Sequence, residues 1–247
     1  MATSLGDDDR LVHLANDGQL MLAGLARCDP AAPVPGLEWN AFRVVTHTGA
    51  VHRWAADIVR RALPTNETGG SAAFSPGDVG IDQLPEWFGE GVNNLISTLR
   101  DAPADLSCFT FARGIAPRSF WIRRQAHETA IHRADVEAAA GAPVTPFEVS
   151  FAEDGLSELV GAFATERRFA THHSGRLLLS VSDGPSWLIT FSGTRNLVDS
   201  GDLAGSDADA VIHGTSDELY RWAWNRPANV TAEGDREVIA LWRKIRI

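Results

Sequence analysis

Residues 123–135 read RRQAHETAIHRAD, and the interpretation of the whole chain depends on this stretch. Pro117 precedes it at a position suited to the first turn of a helix, and Gly141 and Pro143 follow it, so we predict a helix from 117 to 141. Ionisable residues occupy every side of that helix. A central helix of this kind must bury some of its charges, and buried charges require partners or a metal ion.

Glu128 and His132 lie four residues apart, so their side chains project only about 40° apart around the helix axis. A carboxylate and an imidazole placed side by side can bind one cation. His127 and His132 are five residues apart, which does not match the His-Glu-x-x-His pattern of zinc peptidases. The Glu128 and His132 pair is compatible with a metal site, but also with a solvated ion pair that stabilises a helix by roughly a few tenths of a kcal/mol.

A metal site on this pair needs a third ligand from another helix, because catalytic zinc usually has three protein ligands and one open position. Apolar residues recur at helical spacing over 39–63 and predict a helix that ends before Pro64. His47 lies on the apolar line of this helix, and His52 lies on the neighbouring line. The spacing favours His47 only slightly, so both histidines stay candidates.

Helices dominate the first part of the chain, and strands appear only in the second part. The N-terminal pattern predicts helices over 9–28, 39–63, 86–101 and 117–141, with a long irregular connection over 64–85. After Pro146 the pattern predicts a helix over 151–168, strands over 176–181, 186–191 and 210–213, and helices over 216–224 and 238–243. Ser182-Asp183-Gly184-Pro185 is typical of a hairpin turn between the first two strands. We therefore expect a helical bundle over 1–145 and a small α+β domain over 146–247.

The composition excludes several classes of protein. The 247 residues include 44% hydrophobic and 22% charged residues, as in ordinary globular chains. The net charge of −10 disfavours nucleic acid and anionic membrane surfaces as partners. Two cysteines, Cys28 and Cys108, are too few for a disulfide scaffold. The acidic start of the chain does not resemble a secretory signal, and no apolar run could span a bilayer, so we expect a cytoplasmic protein. We also expect a monomer.

Three segments resemble the mycothiol-dependent maleylpyruvate isomerase family, a branch of the DinB-like superfamily of metal-binding four-helix bundles. They are 39–52, with a tryptophan followed by a histidine eight residues later; 126–135, AHETAIHRAD; and 218–226, ELYRWAWNR. The similarity covers nearly the whole chain. It implies an α+β fold in which an N-terminal DinB-like four-helix bundle that binds metal precedes a small α+β domain.

The resemblance also implies a site. A divalent metal, usually zinc, is expected on His47, Glu128 and His132, with His52 as a neighbour that does not bind the ion. Arg226 matches an active-site arginine of the family and is expected to hold an anionic group of the substrate as a catalytic residue. Mycothiol is the implied thiol cosubstrate, and a small electrophile is the implied second substrate.

Two reactions follow from the same first step, in which a thiol activated at the metal adds to an electrophile. We place S-transfer to the electrophile first, with release of the conjugate. Cis-trans isomerisation of the maleylpyruvate type is the alternative, with the thiol expelled after rotation. A third possibility is a module that binds metal or thiol without catalysis.

Overall fold

The computed structural model describes residues 5–112, 114–166, 169, 172–203 and 205–245. The chain divides into two compact units, Leu5–Thr145 and a second unit that begins at Pro146. Seven helices and a five-stranded sheet occupy the described residues, which confirms the predicted α+β class. The N-terminal unit is a bundle of four helices, α1 (Asp7–Leu25), α2 (Ala41–Arg61), α3 (Leu84–Asp101) and α4 (Pro117–Ala139).

Local signals set the ends of the bundle helices. The side chain of Asn40 accepts a hydrogen bond from the backbone N–H of Arg43 and caps the start of α2. Pro117 occupies the first turn of α4, and Gly141 follows that helix with a φ of 68°. The connection between α2 and α3 was predicted to be irregular, but it contains two short 3₁₀ helices, Ser71–Phe74 and Ile81–Gln83. Each is a single turn, too short to produce a period in the sequence.

The α4 helix is buried around nearly its whole circumference. Its apolar residues pack in the bundle core, with Phe120, Trp121 and Ile122 almost fully inaccessible to solvent. Arg124, Arg133, Asp135 and Glu137 are buried as well. Because these charged groups lie away from water, each one requires a partner within the bundle. The expectation that this central helix buries part of its charge is therefore confirmed.

Gly49 on α2 leaves room for the side chain of Trp87 on α3. A Cβ atom on Gly49 would overlap the six-membered ring of Trp87. The guanidinium carbon of Arg53 also lies over the Trp87 ring, 3.9 Å from its centroid. Arg53 also donates hydrogen bonds to the backbone oxygens of Gly49 and Trp87. The packing of Trp87 against α2 therefore requires a residue without a Cβ atom at position 49.

We expect Gly49→Ala to lower the free energy of unfolding by about 2 kcal/mol, because the added methyl group forces Trp87 out of its position. Urea denaturation of the full-length protein measures the change. Gly89→Ala on α3 is the matched control, since its Cβ would lie 3.7 Å from Leu22 Cδ1 at an ordinary contact distance. Equal stability of the two variants would contradict this packing of Trp87.

The C-terminal unit combines short helices with one mixed sheet. Its elements are α5 (Val149–Leu156), a π-helical segment (Ser157–Phe163), β1 (Gly175–Val181), β2 (Ser186–Phe191), β3 (Leu197–Gly201), β4 (Ala210–Gly214), α6 (Ser216–Ala223), β5 (Thr231–Gly234) and α7 (Arg236–Trp242). The strand order is β3-β2-β1-β4-β5, and only β1 and β4 are parallel. Leu178 of β1 lies opposite Leu188 of β2 across the predicted hairpin.

Two parts of this unit differ from the sequence prediction. The helix predicted over 151–168 changes to π-helical geometry at Ser157 and ends at Phe163, while 167–168 lie outside the described residues. Strands β3 and β5 were not predicted. Both lie at the edges of the sheet and expose most of their side chains, so neither has the apolar pattern that marks a buried strand.

The core of the C-terminal unit is rich in aromatic side chains. Trp242 is fully buried, donates a hydrogen bond to the backbone oxygen of Ala223 and stacks on Trp222. Cys28 and Cys108 are both free thiols. Within the described part of the chain, none of the helices has the length and apolar character of a membrane span.

Candidate metal centre

The α2 and α4 helices bring three candidate metal ligands together in the N-terminal unit. His47 Nε2 lies 3.2 Å from Glu128 Oε1, and His132 Nε2 lies 3.4 Å from the same oxygen. One ligand atom from each of the three side chains falls within 4.8 Å of the other two. Among the described residues this is the one cluster of three or more metal-binding side chains. The arrangement places one carboxylate between two imidazoles.

The structure distinguishes the two histidines that the sequence left as candidates on α2. The ring of His52 points elsewhere, with Nε2 2.8 Å from the hydroxyl oxygen of Thr129. Thr129 donates its own hydrogen to the backbone oxygen of Gln125, so its oxygen accepts from His52. Burial lowers the pKa of His52 to about 3, and the ring is neutral. His47, and not His52, is therefore the residue that joins Glu128 and His132.

The cluster opens on the side of His47. The side chain of His47 is 33% exposed, against 16% for Glu128 and 8% for His132. A ligand that enters from solvent therefore meets His47 first.

Asp135 binds the imidazole of His132 at Nδ1, the ring nitrogen that does not face Glu128. Its Oδ2 lies 2.8 Å from His132 Nδ1, and both side chains are buried. When Nδ1 carries the hydrogen that binds Asp135, Nε2 is left to face Glu128 and a metal ion, as in carboxylate-histidine-metal triads. The sequence analysis did not assign this role. The signal that was present is the spacing of three residues between His132 and Asp135 on one helix.

The charges of the cluster favour a cation. Burial by itself raises the pKa of the Glu128 carboxyl, but hydrogen bonds from His132 and His47, together with the charges of His132 and Arg124, hold that pKa well below its usual range. Glu128 is therefore an anion at neutral pH. Burial opposes protonation of His132, but its hydrogen bonds to Asp135 and Glu128 raise its pKa to about 9. A protonated His132 must lose the proton on Nε2 before this nitrogen can bind a cation.

Metal binding should release this proton, because an ion that binds His132 Nε2 displaces it. Zinc affinity is expected to rise about tenfold per pH unit between about pH 7 and about pH 8.5, as one proton is displaced per ion. Competition against a chelating dye across that range measures the affinity, and calorimetry in buffers of different ionisation enthalpy counts the protons. An affinity that does not change with pH would show that His132 is neutral before the metal binds.

Trp39 covers the two imidazoles of the cluster. Its ring centroid lies 4.9 Å from that of His47 and 6.0 Å from that of His132, on which it stacks with an interplanar angle of 22°. The rings of His47 and His132 meet edge to face at 5.3 Å. Trp39 was noted in the sequence only as part of a motif, and its contact with both histidines is a finding of the structure.

Arg226 lies in the C-terminal unit, at the turn that follows α6. Its Nη1 donates a hydrogen bond to the backbone oxygen of Trp224, 2.7 Å away. Asn225 between them has a φ of 60°, so the chain turns sharply at this point. The assignment of Arg226 as a catalytic residue stays a prediction.

Comparisons with known proteins give consistent results over the two units. The family model described as "Mycothiol maleylpyruvate isomerase N-terminal domain" matches residues 11–137, and the one described as "MDMPI C-terminal domain" matches residues 150–241. The similar solved structures include the crystal structure of the mycothiol-dependent maleylpyruvate isomerase and that of a point mutant of it. Each is 15% identical, with a TM-score of 0.64 over 94% of this chain and 95% of the other. Curated proteins give no match. At this identity the structural similarity shows the fold.

Proposed function

This chain belongs to the mycothiol maleylpyruvate isomerase family, and from that premise we propose that it is a metal-dependent enzyme that uses mycothiol to isomerise a small unsaturated acid. The observation that carries the proposal is the convergence of His47, Glu128 and His132 on one position that opens to solvent. The two solved structures described above are of an isomerase. The comparisons therefore favour isomerisation over the S-transfer that the sequence analysis placed first.

The three side chains fit a divalent metal, and we assign them as its ligands. Two imidazoles and one carboxylate are a set that catalytic zinc sites use, and they leave one position open. Their total charge of −1 would leave a net charge of about +1 with the ion, so an anionic sulfur is attracted to the site. A divalent metal held by His47, Glu128 and His132 would lower the pKa of a bound thiol and so would supply thiolate at neutral pH.

The neighbouring residues hold these groups in place. Asp135 keeps the His132 ring in the orientation that turns Nε2 towards Glu128. Arg124 lies with Nη2 3.7 Å from Glu128 Oε2 and stabilises the anionic carboxylate. Trp39 covers the two imidazoles and limits the directions from which water reaches them. The site is organised before a substrate arrives.

The reaction requires a thiolate and a double bond conjugated to a carbonyl group. The thiolate adds to one alkene carbon, and the electron pair of the double bond moves into the conjugated carbonyl. The former double bond is then single and rotates. Return of the electron pair expels the thiolate and gives the trans isomer, so mycothiol is regenerated. If the adduct is protonated and released instead, the outcome is S-transfer and the thiol is consumed.

The proposal is tested with the zinc-loaded, full-length protein, maleylpyruvate and a sub-stoichiometric amount of mycothiol. Isomerisation is followed by proton NMR of the alkene hydrogens, and thiol is assayed at the end. Conversion of many equivalents of substrate with the thiol retained supports the isomerase. Loss of thiol in proportion to a chloro-dinitroarene or bimane electrophile indicates S-transfer. Stoichiometric zinc without turnover of any of these would overturn the enzymatic proposal in favour of a binding module.

We expect Arg226→Ala to retain zinc and to lower kcat/KM for an acidic substrate by roughly 10- to 100-fold, since a charge-assisted hydrogen bond to a carboxylate is lost. The measurement is steady-state kinetics together with metal content. Arg236→Ala is the control, because Arg236 is an exposed arginine of the same unit. Unchanged kinetics in Arg226→Ala would remove this residue from the active site.

A further inference from the structure

Trp39 and Arg43 form a pair beside the candidate metal centre that the mechanism above does not use for binding. The guanidinium carbon of Arg43 lies 5.0 Å from the centroid of the Trp39 ring. The same ring packs on His47 and His132. Arg43 also precedes His47 by four residues on α2, so the two side chains leave the same side of the helix about one turn apart.

The position of Arg43 is not explained by an ion pair. The side chain is exposed, and among residues 5–112, 114–166, 169, 172–203 and 205–245 its guanidinium has neither a carboxylate partner nor a hydrogen-bond acceptor. It lies in the first turn of α2, where the helix dipole disfavours a positive charge. The one contact that orients the guanidinium is the face of Trp39.

We infer that Arg43 is a specificity-determining residue, which binds a carboxylate of the unsaturated substrate. This inference rests on the proposed function. The cluster opens on the side of His47, and Trp39 and Arg43 lie on that same stretch of chain. A guanidinium stacked on an aromatic face keeps its edge available for two parallel hydrogen bonds to a carboxylate.

The inference concerns the charge of the substrate, so the test compares an acid with its uncharged ester. The zinc-loaded protein, Arg43→Gln and Arg43→Lys are assayed with maleylpyruvate and with its dimethyl ester, which carries no charge. For Arg43→Gln we expect kcat/KM on the acid to fall about tenfold and kcat/KM on the ester to stay unchanged. The lysine variant should recover part of the loss, because it restores the charge without the planar fork. The KM for mycothiol should not change.

A second measurement needs no turnover. Succinate, a saturated dicarboxylate that cannot accept a thiol, is titrated into the zinc-loaded proteins by calorimetry. Arg43→Gln should weaken its binding about tenfold, and zinc content should be the same in every variant. Arg100→Gln is the matched control. Arg100 is an exposed arginine near the C-terminal end of α3, which contacts the C-terminal end of α2, whereas His47 lies in the N-terminal half of α2.

The outcomes separate this inference from the proposed function. If no turnover occurs but succinate binding still depends on Arg43, the enzymatic proposal fails and the carboxylate site stands. If the acid and the ester lose activity equally, or if Arg43→Gln and Arg100→Gln bind succinate equally well, the inference is overturned. A raised KM for mycothiol with unchanged succinate binding would assign Arg43 to the thiol and overturn it as well.

Discussion

Replacing His132 with alanine is expected to remove both the metal and the activity of this protein. His132 is a proposed ligand and is also the partner of two carboxylates, the buried Asp135 and the partly exposed Glu128. Changes in residues that only support a ligand already weaken metal binding about 10- to 100-fold, so loss of the ligand itself should weaken it by at least about 100-fold. After dialysis the zinc content should fall to near zero, and turnover should fall with it.

Two further variants make this result specific. Asp135→Asn preserves the size of the side chain that orients His132, and it should weaken zinc binding by about 10- to 100-fold. His213→Ala removes an exposed imidazole from β4 in the other unit and should change neither zinc content nor turnover. Zinc is measured by mass spectrometry, with circular dichroism as the check on folding. Retention of one zinc per chain by a folded His132→Ala protein would refute the ligand assignment.

The second large effect concerns the stability of the bundle and centres on Arg133. This arginine is buried, and its Nε donates to Asp17 Oδ1 at 2.8 Å. Its Nη1 donates to Glu137 Oε2 at 2.8 Å and to the backbone oxygen of Thr145 at 2.6 Å. One guanidinium thus joins α1, α4 and the chain that follows α4.

We expect Arg133→Met to lower the free energy of unfolding by about 3–5 kcal/mol, because two buried carboxylates lose their cation. Burial raises the pKa of Asp17 even with Arg133 present to oppose it. In the Arg133→Met protein, Asp17 loses the positive charge that opposes this rise in pKa. Its carboxyl then binds a proton more tightly in the folded protein than in the unfolded one, so a lower pH favours the folded state. The loss of unfolding free energy caused by Arg133→Met should therefore become smaller as the pH falls from 7 towards 5.

Urea denaturation at pH 7 and at pH 5 tests both statements. Arg61→Met is the matched control, because Arg61 is 53% exposed and pairs with Asp57 on the surface of α2. Its loss should cost at most about 1 kcal/mol at either pH. A small effect of Arg133→Met at pH 7 would mean that water or another group satisfies Asp17 and Glu137.

The main elements of the fold could be predicted because their signals are local. Helix periods, Pro117 in the first turn of α4, Gly141 after that helix and the turn over 182–185 all act within a few residues of chain, and the structure confirms each. The edge strands β3 and β5 could not be predicted in this way. Each pairs with only one neighbouring strand and exposes most of its side chains. Their strand conformation therefore depends more on pairing with the sheet than on an apolar pattern in their own sequence.

For the candidate site too, one part could be predicted from the sequence and another part could not. The adjacency of Glu128 and His132 follows from the sequence, because both lie on one helix and four residues amount to about one turn. The third candidate ligand could not be identified from the sequence, because His47 is 81 residues away from Glu128 and the spacing on α2 left His52 almost as good a candidate. Only the packing of α2 against α4 turned His47 towards the carboxylate and His52 towards Thr129. A helix determines which of its own side chains share a side, but the angle and depth at which two helices pack depend on every residue between them.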